Sequence, residues 1–400
     1  MNSDERREVR RERRRNARQA KREKADAPFD DFGLVADADS LYRAFQNSKK
    51  GVSWKESVQR FDASLLANIA ELRRKLLAGE SVQSRFVEFT LNERGKTRHI
   101  KSVHISERVV QKALCDEVLV PILSRPLIHD NGACVKGKGV HFAIQRLILH
   151  LSRFYRENKT NDGYALLVDF SKFFDNVDHA VLFALVDARV KDVRIRRIVR
   201  DFVSVFGDGK SLGLGSQVSQ IAAVFYPDGL DHFIKEKLRI KFYGRYMDDL
   251  YLIHRDRDYL KYCLRQIKTV CDELKITVNE RKTRIVKLKD GVSFLKGRYP
   301  LTESGKVLRL PHRDSAKRMR RKLVKFKALI DAGKMGYADL RTAYQSWRGN
   351  FRKRFNGGLH IRRMDELYNR LFIDDREAVK ENGDVLSGKE KRQGLLPQKP

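Results

Sequence analysis

Two periodicities alternate along this chain, and the switches between them mark out its elements. Leu65, Leu66, Ile69, Leu72, Leu76 and Leu77 recur at spacings of three and four, which predicts a helix over Ser64–Leu77 stopped by Gly79. Leu41, Tyr42 and Phe45 set a shorter helix before it. Phe86, Glu88 and Thr90 then alternate, a polar turn follows at Asn92–Lys96, and alternation resumes from Thr97 to Val103, the pattern of a β-hairpin. Helical spacing returns over Ile105–Leu123 and His141–Tyr155. Tyr164–Asp169, YALLVD, is an unbroken apolar run ending on an acid, as expected of a buried strand that delivers a carboxylate at its end. A helix through Val190, a basic helical segment over 191–200 and a Gly-rich loop at Ser211–Gln220 leading into another helix come next. In Lys241–Ile253, KFYGRYMDDLYLI, short alternating runs flank a polar break, which predicts a second hairpin with Asp248 and Asp249 at its tip. Behind it lie an amphipathic helix (Tyr259–Leu274), short strands at Ile276–Val278 and Arg284–Leu288 around a turn at Asn279–Thr283, and a closing block at Ser293–Arg298. Past Pro311, Met319, Leu323, Phe326 and Ile330 share one helical face, with Lys317, Arg318, Arg321, Lys322 and Lys325 opposite, and two more helices carry Leu340, Tyr344 and Trp347, then Met364, Leu367 and Leu371.

This order predicts five segments: a basic N-terminal arm (1–27), helices with the first hairpin (28–163), a strand-bearing centre (164–310), a basic helical module (311–373) and a disordered polar tail (374–400). Composition then names a class of partner. The 400 residues hold 84 Lys and Arg against 52 Asp and Glu, a formal charge of +32, far more than solubility needs, so a polyanion such as nucleic acid is expected. Up to Lys24 the chain is nearly all charged, and it reads either as a disordered arm or as a solvated helix that orders on nucleic acid. No apolar run approaches the roughly 20 residues of a membrane span and no signal peptide opens the chain. Cys115, Cys134, Cys263 and Cys271 have no paired or metal-ligand spacing, so a cytoplasmic protein with reduced thiols is expected.

Chemistry enters with the acids. Adjacent Asp248 and Asp249 repel each other, and they are either a solvated turn or a site for a hard divalent cation. Asp169 lies 79 residues before Asp248, room for a crossover that returns the chain beside the first strand. Three carboxylates from two neighbouring strands can bridge two metal ions about 3.5–4 Å apart, the arrangement that phosphoryl transfer to a 3′-hydroxyl uses. Lys96, Arg98 and Lys101 near the first hairpin's tip are cations for a triphosphate or ordinary surface charges. Lys136 and Lys138 stand among three glycines in a loop that lets backbone approach phosphates, but its spacing fails the P-loop pattern, which argues against an NTPase.

DFSKFFD (Asp169–Asp175), the loop ending in Ser219-Gln220 and YMDD (Tyr246–Asp249), in that order, resemble the fingers–palm core of reverse transcriptases, most closely the prokaryotic ones of diversity-generating retroelements. The resemblance runs from about Leu41 to Phe372, with ERVVQKAL at Glu107–Leu114, KGKG at Lys136–Gly139, SFLKG before the last helices and SWRG at Ser346–Gly349. It implies an α+β right-hand polymerase, with fingers in 28–163, a palm whose antiparallel sheet carries the active site in 164–310 and a helical thumb in 311–373.

The roles it implies are as follows. Asp169, Asp248 and Asp249, with the carbonyl of Phe170, hold two Mg²⁺ ions, Mn²⁺ being an alternative. Lys282 is a general acid near the leaving pyrophosphate, or else a surface lysine in a basic turn. Phe174 is an aromatic gate against the ribose 2′-hydroxyl, or else a core aromatic. Ser171, Lys172, Phe173, Lys96, Arg98, Leu214, Gly215 and Gln220 complete the dNTP site. Tyr246 and Met247 meet the primer, Met247 being otherwise hairpin packing, and Lys136, Lys138, Leu295, Lys296, Gly297, Lys317, Arg321 and Lys325 track the nucleic acid. Many relatives carry Pro-Gln-Gly where this chain has Gly213-Leu214-Gly215; an aliphatic side chain cannot hydrogen-bond the nucleotide, which fits copying with errors at adenines.

The implied function is an error-prone RNA-directed DNA polymerase that works with template RNA, an RNA–DNA duplex, dNTPs and a basic accessory protein. The alternatives are the same core in a phage-defence or retron system, and a non-catalytic RNA-binding or maturase-like protein. Clustered acids in an otherwise basic chain argue against the last. No second acidic cluster follows Pro311, so RNase H, integrase and endonuclease domains are not expected.

Overall fold

The computed structural model describes residues 3–83, 86–93, 96–312 and 314–374. The chain divides into two compact units, one of residues 1–150 and 163–286, the other of 151–162 and 287–400.

The first unit begins with a helix, Ser3–Asp26, so the basic arm is helical where it is described. The tail from 375 onward lies outside the described residues. Ala38–Ser48 and Leu65–Leu77 follow as helices whose apolar stripes are buried through Leu41, Phe45, Ile69, Leu72 and Leu76. Tyr42, Leu66 and Leu77, the off-stripe members of the two patterns, are exposed. The first hairpin is β1 (Val87–Glu93) against β2 (Lys96–Ser102), in antiparallel register from Val87↔Ser102 to Glu93↔Lys96.

At the centre is a four-stranded sheet in the order β4–β5–β3–β6, formed by β3 (Tyr164–Asp169), β4 (Phe242–Tyr246), β5 (Asp249–His254) and β6 (Arg284–Lys287). β3 is apolar up to its terminal Asp169 because both of its faces are covered, and Ala165 through Val168 are buried. Helices Ile105–Leu114, His179–Asp187, Val193–Ser204, Gln217–Phe225 and Arg257–Glu273 bury their apolar stripes in the same core. The expected strand at Ile276–Val278 is a single antiparallel bridge, Phe170↔Val278: Asn279 turns to cap the end of β3, so no ladder can extend.

The second unit holds a small sheet of β7 (Val292–Phe294), β8 (Gly297–Tyr299) and β9 (Leu310–Pro311), and the helices Asp314–Asp331, Tyr337–Arg354 and Gly358–Asn369. Met319, Leu323, Leu340, Tyr344, Met364 and Leu367 form the helices' shared core. Arg348 of the SWRG segment grips Asp365 through two nitrogens (2.9 and 3.1 Å), and Tyr344 donates to the same carboxylate at 2.6 Å, which ties the second helix to the third. Lys317, Arg321, Lys322 and Lys325 stay exposed. Among the described residues no helix is long and apolar enough to cross a membrane.

Candidate active site

The site is built where three strand ends meet. β3 and β5 run antiparallel in the register Tyr164↔His254 to Asp169↔Asp249, so the last residue of one strand stands opposite the first of the other. Residues paired in this way have Cα atoms about 4.5–5.5 Å apart, and like charges directly opposite destabilise the pair. The β4–β5 hairpin closes with Tyr246 opposite Asp249, leaving Met247 and Asp248 as a two-residue loop. Such loops need positive φ at one or both positions to match strand twist, and Met247 supplies it at φ 55° where glycine is the usual occupant. Asp169 is buried, while Asp248 and Asp249 are half-buried.

The repulsion is offset by Lys282. Its Nζ lies 2.7 and 2.8 Å from the two carboxylate oxygens of Asp169. The hydrogen bond to the Asp169 carboxylate raises the Lys282 pKa above its ordinary value against the opposing effect of burial, and the charges of Asp169, Asp248 and Asp249 add to the rise. One ammonium therefore faces all three acids. Asn279 places both partners: its backbone N–H donates to the Asp169 carbonyl (2.8 Å), its side-chain amide to the Asp169 carboxylate (3.0 Å), and its own carbonyl accepts the Lys282 N–H (3.2 Å). The sequence marks Asn279 only as a turn residue, because its partner lies 110 positions away.

A buried ion pair underlies the hairpin. Arg245, in β4, and Asp231 are both wholly inaccessible and bonded through two guanidinium nitrogens (2.8 and 2.6 Å). The same guanidinium donates to the carbonyls of Val224 (2.9 Å) and Met247 (3.2 Å), so it ties the hairpin tip to the Gln217–Phe225 helix. The Arg245 backbone is bracketed as well, its N–H donating to Asp130 O and its carbonyl accepting from Gly132 N–H. The only sequence signal for Arg245 is a charged residue inside an otherwise apolar strand.

The glycine-rich loop is anchored from two sides. Leu212 N–H donates to the Phe174 carbonyl (2.8 Å), and Lys101 N–H of β2 donates to the Leu214 carbonyl (3.2 Å). Gly215 has φ +123°, and a Cβ there would stand 2.8 Å from the Lys101 carbonyl oxygen, so glycine is required by conformation and by space. Gln111 accepts from Ser216 Oγ (3.0 Å) and Gln217 N–H (3.2 Å) and donates to buried Glu107 (2.9 Å). These two residues of ERVVQKAL are thus the loop's buried polar support.

The remaining candidates fall into place by element. Phe170 and Phe173 are buried, while Ser171 and Phe174 are half-buried and Lys172 exposed, with Phe174 edge-on to Phe173. Gln220 is exposed and Leu214 half-buried. Lys136 is exposed, but Lys138 turns inward to the carbonyls of His129 (2.8 Å) and Asn131 (3.2 Å), and burial lowers its pKa. The backbones of Lys96 and Arg98 lie in β2, and their side chains are outside the described residues. Leu295 and Lys296, both at positive φ (46° and 67°), form the β7–β8 turn closed by Gly297. They belong to the second unit, as do Lys317, Arg321 and Lys325.

Among the described residues no group of three or more His, Cys, Asp or Glu is gathered closely enough to hold a metal ion. The donor set still suits a hard divalent cation: three carboxylates at one strand junction, with a monovalent ammonium on the most buried of them.

No curated protein matches the chain. Among solved structures, telomerase from Candida albicans with a fragment of telomeric RNA superposes with a TM-score of 0.43 at 12% identity, over 62% of this chain and 50% of that one. Apo telomerase from Candida tropicalis, truncated from its C-terminal domain, gives 0.44 and 13%, over 57% of this chain and 56% of that one. The chain thus spans about half the length of these structures. The family model "Reverse transcriptase (RNA-dependent DNA polymerase)" matches residues 91–298, which contain the three acids, the anchored loop and Lys282. By that match over more than half of its length, the chain belongs to the reverse transcriptase family and has the mixed helical and antiparallel right-hand polymerase fold.

Proposed function

We propose that this chain is an RNA-directed DNA polymerase that extends a primer 3′-hydroxyl with dNTPs on an RNA template. The observation that carries the reading is the junction of Asp169, Asp248 and Asp249 under the Lys282 ammonium. Two Mg²⁺ ions, or Mn²⁺, held by these carboxylates and the Phe170 carbonyl would supply activation of the hydroxyl and stabilise charge at the departing pyrophosphate.

The chain's own groups do the rest. Asn279 holds Asp169 in place, and Arg245 holds the loop that carries Asp248. Lys282, protonated at neutral pH, can deliver its Nζ proton to the pyrophosphate oxygen as the bond from the α-phosphorus to that oxygen breaks. Phe174, with its carbonyl fixed by Leu212 N–H, presents ring bulk suited to rejecting a ribose 2′-hydroxyl. The exposed cations of the helical module suit phosphate contacts that carry no sequence information.

Leu214 supports the finer reading, error-prone copying in a diversity-generating retroelement. Its carbonyl is engaged by β2 while its half-buried side chain has no polar atom for a nucleotide. Primer extension on a defined RNA template, comparing the wild type with Asp248→Ala/Asp249→Ala, tests the core claim. Metal-dependent synthesis lost in the variant is expected, and a variant that still extends primers removes the assignment. Sequenced products are expected to carry errors at template adenines that Leu214→Gln reduces. Accurate synthesis by the wild type would instead favour a retron or defence enzyme.

A further inference from the structure

The N-terminal helix is a second place where charge outruns structure. Ser3–Asp26 contains eleven Lys and Arg against six Asp and Glu. Of its side chains whose burial is described, only Asp26 is buried and only Val9 is half-buried, so apolar packing does not hold this helix. It is docked through Asp26, which bridges Arg125 (2.5 Å) and Arg189 (2.9 Å).

Above that anchor a groove of about 880 Å³ opens between the helix and the Ala188–Arg189 turn with Lys237. Arg14, Arg18 and Arg22 line it at four-residue spacing, with Arg189 and Lys237, so five cations stand against the two acids of the lining, Glu23 and Asp26. Like charges at i,i+4 each destabilise a helix by a few tenths of a kcal/mol. Arg189 is already bonded to Asp26, but the exposed stripe of three with Lys237 leaves an excess of positive charge that an anion in the groove would relieve. The stripe rises about 6 Å per arginine, comparable with the spacing of neighbouring phosphates on one nucleic acid strand. Guanidinium groups suit phosphate geometry. A lipid surface fits poorly, because the helix lacks the broad apolar face that interfacial helices bury.

We propose that this groove binds the phosphate backbone of a folded region of the template RNA, as a site that shares no residue with the polymerising centre. The choice of RNA rests on the polymerase reading above; the groove's affinity for phosphate does not.

The test is direct binding of a folded RNA hairpin by the full chain as a function of salt. Arg14→Ala/Arg18→Ala/Arg22→Ala is compared with the parent, both in the Asp248→Ala/Asp249→Ala background so that synthesis cannot contribute. The replaced side chains are exposed and alanine is a better helix former, so the variant is expected to fold, which far-UV circular dichroism checks. Affinity is expected to fall at least tenfold, and the slope of log K against log salt to drop by about 2 to 3, the value for three lost phosphate contacts. Lysine at the same three positions should restore most of both. Unchanged affinity and slope would overturn the proposal, as would a groove that binds polyglutamate while RNA binding ignores the substitutions. A chain with all three acids intact that extends no primer, while the arginine-dependent salt slope is still seen, would count against the polymerase reading and leave the groove standing.

Discussion

Single side chains at the centre carry opposite electrostatic burdens. Lys282 is held above its ordinary pKa by Asp169. A lysine raised in the folded state lends stability that is complete below its unfolded pKa and is lost only as pH rises through the folded one, so this contribution stays constant across the neutral range. Removing the ammonium leaves Asp169 facing Asp249 unbalanced. Lys282→Ala is expected to lower kcat by about 10²–10⁴ and to take away the alkaline limb of the pH–rate profile, because the group that loses its proton there is gone. A profile with unchanged limbs and kcat would sink the general-acid role.

Asp228 is the reverse case. Burial pushes it up to about 6, and its Oδ1 lacks a hydrogen-bond partner, with His232 standing 3.7 Å away. For an acid raised on folding, stability falls as pH climbs from about 4 to about 6 and the full cost persists above. Asp228→Asn should therefore stabilise the protein at pH 7 by roughly 1–3 kcal/mol, with the gain vanishing below about pH 4. Thermal unfolding at the two pH values checks it, and equal melting temperatures for the two proteins at pH 7 would exclude it.

The β4–β5 hairpin is the element whose shape the site depends on. Its tip residue Met247 holds a positive φ, which costs a non-glycine residue energy, and the Arg245–Asp231 pair beneath supplies the restraint. Breaking a wholly buried pair strands a charge. Arg245→Met is expected to destabilise the first unit by about 3–5 kcal/mol, and Arg245→Met/Asp231→Leu to recover most of that loss. Only the double variant's polymerase activity then reports on positioning: stability restored with activity still depressed is the expected result, read by denaturant unfolding alongside primer extension. Full activity in the double variant would mean that the guanidinium's bond to the Met247 carbonyl is dispensable.

At the scale of the whole molecule, the excess of 32 positive charges is spread over several surfaces, among them the N-terminal helix and the exposed face of Asp314–Asp331. Binding to a template–primer duplex should weaken steeply with salt. Lys317→Ala/Arg321→Ala/Lys325→Ala is expected to reduce the salt slope by about 2 to 3 with no change in sequence preference, as measured by fluorescence anisotropy from 50 to 300 mM salt. A variant with the wild-type slope would remove that face from the nucleic-acid track.

Local periodicity along the chain was enough to set its strands and helices. The apolar run ending at Asp169, the alternation on either side of Asp248 and Asp249 and the stripes of the last three helices are all present in the chain as strands and helices. Order and spacing also led to the family, because strand, loop and hairpin must occur in that succession to bring their ends together. Folding, and not periodicity, selected the polar groups that support the site. Asn279 meets Asp169 across 110 positions, Gln111 meets Ser216 across 105, and Asp231 meets Arg245 inside a core that no periodicity describes. It also separated Lys136 from Lys138, two lysines alike in sequence, by folding one ammonium onto backbone carbonyls. The physical reason is the same in each case. Apolar burial is non-directional and leaves a periodic trace in the chain, whereas a buried hydrogen bond is directional and depends on a partner whose position the chain sets only when it has folded.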